Sequence, residues 1–139
     1  MKTQDPEMSA DENKAIVRKL IDAMDRGDLS IIDRLCAADL RVHFMDRELN
    51  LAQVKEAAAG FNAAFPDLRH SIEELSAEGD RVVLRARDRA THRGVYRGIA
   101  PTGRPVEFET TAAYRIANGK IMEVWQTMDV ESLMRQLES

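Results

Sequence analysis

The chain has 139 residues, of which 44% are hydrophobic, 32% charged and 5% aromatic. That length suits one domain with a real core and leaves little room for a second, and apolar residues recur too evenly for a disordered segment. Twenty basic against 24 acidic side chains give a formal charge of −4, the wrong sign for a general nucleic-acid binder.

Residues 1–8 read as a polar leader, too polar for a signal peptide, and no apolar run reaches the length of a membrane span. The expected setting is soluble and cytoplasmic. Residues 9–139 read as one domain. Ser9 and Glu12 have capping-box spacing, and Ala15, Ile16, Lys19, Leu20, Ala23 and Met24 recur at helical spacing up to about Arg26. Gly27 ends that helix, and Asp28 opens a short second one through Leu35. Val42 and Phe44 suit a strand over 40–45. Asn50 and Gln53 cap a third helix that runs to about Ala64 and stops at Pro66.

From Leu68 the period changes to two, with a turn at Glu78–Gly79–Asp80. In the next strand Val82, Leu84, Ala86, Asp88, Ala90 and His92 share one face. Arg81, Val83, Arg85, Arg87, Arg89 and Thr91 share the other. Ala100–Pro101–Thr102–Gly103 fits a type I turn. Val106, Phe108, Thr110, Ala112, Tyr114 and Ile116 then form an apolar face, and Asn118–Gly119 is a hairpin signal. The return strand covers 121–129, where Ile121, Glu123, Trp125, Thr127 and Asp129 share parity, and a short helix closes the chain. Helices first and an antiparallel meander afterwards predict an α+β fold: a curved antiparallel β-sheet forming a cone covered by the N-terminal helices. With seven aromatic residues and many alanines, that cone has room for a hollow.

Several residues bear on chemistry. Glu73, Glu107 and Glu109 lie on neighbouring strands and pair with the arginine face, which argues for a mixed-charge surface rather than a phosphate site. Asp88 and His92 point to the presumed interior, where burial shifts proton affinity as acid–base catalysis requires. Alternatively, Asp88 pairs with an arginine through a bulge and His92 marks a wetter strand end. Trp125 is expected to wedge into the core as a pocket wall. Asp129 is either a carboxylate at the cavity mouth or the N-cap of the last helix. His43 faces either solvent or the cavity rim. The lone cysteine, Cys36, sits in the short helix as a small core residue, not a nucleophile. It excludes an intrachain disulfide or a cysteine-rich zinc module, and the three histidines lack metal-binding spacing.

The runs Phe65–Pro66–Asp67–Leu68, Glu78–Gly79–Asp80–Arg81–Val82, Thr91–His92–Arg93–Gly94, Pro101–Thr102–Gly103 and Asn118–Gly119–Lys120–Ile121–Met122–Glu123–Val124–Trp125, followed by Asp129, resemble the SnoaL-like polyketide cyclases of the nuclear transport factor 2-like superfamily. The resemblance covers about residues 10–137. It implies a helix-covered curved sheet around an apolar pocket, and a homodimer or homotetramer through sheet surfaces. It also implies ring closure of an aromatic polyketide methyl ester by intramolecular aldol chemistry, with no metal and no organic cofactor. By this resemblance Asp129 is the general acid/base, and His43 and His92 line the pocket. Phe44, Asp88, Phe108, Tyr114 and Trp125 complete the expected substrate-binding set. One departure is the penultimate strand, Thr110–Thr111–Ala112–Ala113–Tyr114–Arg115, which lacks the histidine of some characterised cyclases and offers Tyr114 as a donor instead. Two other readings stand beside the enzyme: a small-molecule binder in which Asp129 only caps a helix, and an interaction module using the charged sheet face. Isomerase, hydrolase and hydroxylase chemistry also occurs on this fold.

Overall fold

In the computed structural model, which describes residues 9–138, helix α1 (Ala10–Asp25) starts at the expected capping box. Ser9 Oγ accepts from the Glu12 N–H, and the Glu12 carboxylate accepts from the Ser9 N–H. The polar leader, residues 1–8, lies outside the described residues. Helix α2 (Ile31–Leu35) is followed directly by strand β1 (Cys36–Phe44). Strand β2 (Arg47–Asn50) then leads into α3 (Leu51–Ala64), which is capped by Asn50 and Gln53 as the sequence predicts. Strands β3 (Arg69–Glu78), β4 (Arg81–Thr91), β5 (Pro105–Ala117) and β6 (Lys120–Met128) follow, and helix α4 (Val130–Glu138) closes the described chain.

The six strands form one curved, open sheet in the order β2-β1-β6-β5-β4-β3. Every pairing is antiparallel except β1 with β6, which is parallel. The α+β cone fold is therefore as expected, with one parallel seam that the sequence does not announce. Two details differ from the sequence reading. Cys36 opens β1 rather than lying in the short helix, yet it is buried, and burial pushes its thiol up to about 11. Strand β2 is additional. Its turn uses Met45 at φ 57, a residue that gives no turn signal in sequence.

Two apolar clusters fill the covered side of the sheet. The first joins α1, α2 and β1 to the inner residues Val82, Leu84, Ala86, Ala112, Tyr114 and Val124. The second joins the end of α3 and α4 to Ala90, Val106 and Phe108. Burying each large side chain contributes about 1.5–3 kcal/mol, so these clusters carry the fold. On the opposite face, Arg85 pairs with Glu73 and Arg89 with Glu107, both at 2.7 Å, and Arg87 lies within 4.0 Å of Glu73, Glu107 and Glu109. These are the partners the alternation predicts. Partly exposed pairs of this kind each contribute little.

Two β-bulges decide which side chains face inward. Counting back from the β3–β4 turn, Glu78 opposes Arg81 and Leu75 opposes Leu84, but the register then shifts so that Ile72 opposes Ala86 and His70 opposes Asp88. In β6, Ile116 opposes Ile121 while Arg115 opposes Glu123. An extra residue at each site reverses the facing of everything beyond it.

Candidate functional site

Asp88 is the buried carboxylate of this sheet. It lies at the centre of β4, 3% exposed, between Ala86 of the first apolar cluster and Ala90 of the second. Thr110, also buried, donates to Asp88 Oδ2 at 2.8 Å from the adjacent strand. His70 Nε2 stands 3.7 Å from the same oxygen, a distance for charge attraction and not for a hydrogen bond. The other ring nitrogen, His70 Nδ1, is 2.6 Å from Asp25 Oδ1 at the end of α1, and the His70 backbone N–H donates to Asp25 Oδ2 at 3.1 Å. Exposure of the side chains rises along this chain, from 4% at Asp88 to 11% at His70 and 17% at Asp25.

Asp88 Oδ1 is buried and has no hydrogen-bond partner among the described residues. Burial pushes the Asp88 carboxyl above its ordinary 3.8, opposed by His70 and by the Thr110 hydroxyl and reinforced by Asp25. A carboxyl with raised proton affinity, one oxygen engaged and one without a partner, is equipped to take and return a proton. Neither alternative in the sequence reading holds: Asp88 pairs with a threonine and a histidine instead of an arginine, and His92 is fully buried instead of wet.

His92 lies one residue past the end of β4 and is buried. Its Nδ1 accepts from the Thr102 N–H at 3.2 Å and lies 3.0 Å from the Thr102 hydroxyl, while its Nε2 is buried without a partner. Phe65 packs against the ring with centroids 5.5 Å apart. Phe108 and Tyr114 are buried on the inner face of β5, Phe108 in the second cluster and Tyr114 in the first, against which Phe44 also packs. Burial pushes the Tyr114 hydroxyl well above its usual range, so it keeps its proton at neutral pH.

Three of the expected site residues are placed elsewhere. The bulge in β6 sets Val124, Gln126 and Met128 opposite the inner residues Tyr114, Ala112 and Thr110, so Trp125 faces outward opposite Ala113. There the Arg81 guanidinium sits 4.6 Å above its ring, and His43 stacks on it with centroids 5.5 Å apart. Trp125 is therefore not a pocket wall. His43 shares that outer face and lies 2.6 Å from Glu123, which holds the Glu123 carboxyl below its usual range. Asp129 is exposed, and its Oδ1 accepts from the Ser132 N–H at 3.0 Å. This is the helix-cap geometry, one of its two sequence readings.

Asp25, His70 and Thr110 were not singled out by sequence. Uninterrupted pairing from the Gly79 turn would set Ser71 opposite Asp88, and only the bulge brings His70 there. Among the described residues no group of histidine, cysteine and carboxylate side chains could hold a metal ion. No helix among them is long and apolar enough to cross a membrane.

The family model "SnoaL-like polyketide cyclase" matches residues 14–137. Among solved structures, "AclR a putative hydroxylase" from Streptomyces galilaeus is 33% identical, with a TM-score of 0.89, over 94% of this chain and 98% of that one. A "Putative SnoaL-like polyketide cyclase" from Jannaschia Sp. CCS1 is 22% identical, with a TM-score of 0.86, over 100% of this chain and 98% of that one. This second likeness bears on the fold alone. IdmH, "a putative polyketide cyclase" from Streptomyces antibioticus, is 26% identical, with a TM-score of 0.81, over 91% of this chain and 99% of that one. Among curated protein sequences none matches. With a family match spanning nearly the whole chain, and the same sheet and helices in its structural relatives, the chain belongs to the SnoaL-like polyketide cyclase family.

Proposed function

We propose that the protein is an acid–base enzyme acting on a hydrophobic carbonyl compound of polyketide type, with Asp88 as the proton carrier. The observation that carries this reading is the buried, unpartnered Oδ1 of Asp88 beside the Asp25–His70 pair. A carbon flanked by carbonyl groups loses its proton to the Asp88 carboxylate, and the enolate attacks a second carbonyl of the same molecule. Asp88 then returns the proton to the new alkoxide, so atoms balance without a co-reactant. Thr110 fixes the carboxyl rotamer, and His70, held by Asp25, supports the charged form while the proton is away. The apolar walls hold the reacting carbons together, which removes much of the entropic cost of ring closure.

Family resemblance assigns the proton transfer to Asp129 instead, and one comparison separates the two assignments. With an aromatic polyketide methyl ester as substrate and chromatography of the products, Asp88→Asn lowers kcat by about 100-fold or more. Asp129→Asn stays within about twofold, because asparagine caps a helix as well as aspartate. The reverse ranking returns the role to Asp129 and removes it from Asp88. Product mass also distinguishes the reaction types. Aldol closure leaves the composition unchanged or lighter by one water, whereas a hydroxylase, the activity named for the 33%-identical relative, adds one oxygen atom.

A further inference from the structure

We infer that His92 is an oxygen anchor: its Nε2–H donates a hydrogen bond to a ketone or quinone-type oxygen at one end of a planar aromatic ligand. Three buried side-chain atoms lack a partner among the described residues, in Asn13, Asp88 and His92. Two of them lie close in the chain, Asp88 on the inner face of β4 and His92 one residue past its end. An unpaired buried polar group costs free energy comparable to a lost hydrogen bond, so two of them four residues apart need a physical reason.

The hydrogen-bond pattern at His92 fixes what it can recognise. The Thr102 N–H donates to Nδ1, so Nδ1 is an acceptor and carries no proton. With no proton on Nδ1, the Thr102 hydroxyl 3.0 Å away can only donate to it. The neutral ring must then carry its hydrogen on Nε2, a donor in a fully buried position. A neutral donor in apolar surroundings selects a carbonyl oxygen over an ammonium or another donor. The surroundings suit a flat ring system: Phe61 meets Phe65, Tyr96 and Phe108 with centroids 4.8–6.0 Å apart, and Phe65 also lies against His92. Thr102 is held beside His92 by the backbone, since the Gly103 N–H donates to His92 O and the His92 N–H to Arg104 O, both at 2.9 Å.

His92 lies four residues after Asp88 and one past the end of β4, a separation of at most about 13 Å at the rise of a strand. A tricyclic aromatic body with an oxygen at one end and an acidic carbon at the other spans such a gap. The placement of the acidic carbon rests on the proton-carrier reading above; the anchor itself does not.

The test is binding, by fluorescence titration, of 2-acetylanthracene against 2-ethylanthracene, which match in shape and differ in one oxygen. The intact protein is expected to prefer the ketone by about tenfold or more. His92→Phe, which keeps an aromatic ring against Phe65, binds both equally, and Thr102→Val, which leaves the backbone N–H on Nδ1, keeps most of the preference. Since either variant could misfold, the ring nitrogens of His92 are also followed by 15N NMR in the unaltered protein. Nε2 should shift with the ketone and stay still with the hydrocarbon. Equal affinity for the two probes, binding of neither, or an unmoved Nε2 on ketone addition overturns the anchor. The readout does not involve turnover, so its failure leaves the role of Asp88 standing, and failure of that role leaves this result standing.

Discussion

At the scale of single residues, two aspartates, one inside β4 and one just past the end of β6, have opposite fates. Asp129 is exposed and spends its carboxylate on the Ser132 N–H. Asp129→Ala should therefore lower stability by about 1 kcal/mol, read from denaturant unfolding, while Asp129→Asn costs a few tenths at most. Asp88 is buried with its proton affinity raised above the ordinary aspartate value of 3.8. The linkage sign is then the reverse of that for a salt-bridged carboxylate. Below pH 3.8 the group is protonated both folded and unfolded and has no effect; above it, keeping Asp88 ionised in the interior costs stability that grows as pH rises through its folded value. Asp88→Asn should accordingly raise Tm near neutral pH and leave it nearly unchanged at pH 3. A variant that is less stable at neutral pH and equally so at pH 3 would contradict the burial argument.

At the scale of elements, a single inserted residue outweighs the pattern of a whole strand. The alternation in β4 and β5 is legible because those strands pair with each other without interruption, from Arg81 opposite Arg115 to Thr91 opposite Pro105. Asp88, His92, Phe108 and Tyr114 are therefore correctly placed on the inner face by sequence alone. The same alternation places Trp125 inward and overlooks His70, because the bulges in β6 and β3 leave no mark in composition. Helix caps at Ser9 and Asn50 are local chemistry and can be read directly, whereas the pairing of Asp25 with His70 joins positions 45 residues apart and cannot. The outward position of Trp125 has a measurable consequence. Trp125→Ala should cost about 1 kcal/mol through loss of the Arg81 and His43 contacts, yet leave affinity for an aromatic ketone within about twofold. Phe108→Ala, in the second apolar cluster, should cost about 3–5 kcal/mol. A tenfold loss of ketone binding in Trp125→Ala would mean that the outer face takes part in the site.

At the scale of the molecule, a polar layer divides the core. Ala86, Ala112 and Val124 belong to one apolar cluster, Ala90 and Phe108 to the other, and Asp88 and Thr110 lie between them. A continuous core of apolar residues would be more stable, since a partly satisfied polar layer is worse than none. Stability given up at a buried acid is the usual signature of a site kept for chemistry. The family provides the scaffold, and within it the position of the acid decides what the scaffold does. The most direct test is the pH profile of kcat/KM for ring closure of an aromatic polyketide methyl ester, measured on the unaltered protein and on Asp88→Asn. Asp88 acting as base predicts an acidic limb with a midpoint above 3.8, below which activity falls, and loss of both limb and activity in the variant. An acidic limb that survives unchanged in Asp88→Asn would contradict it.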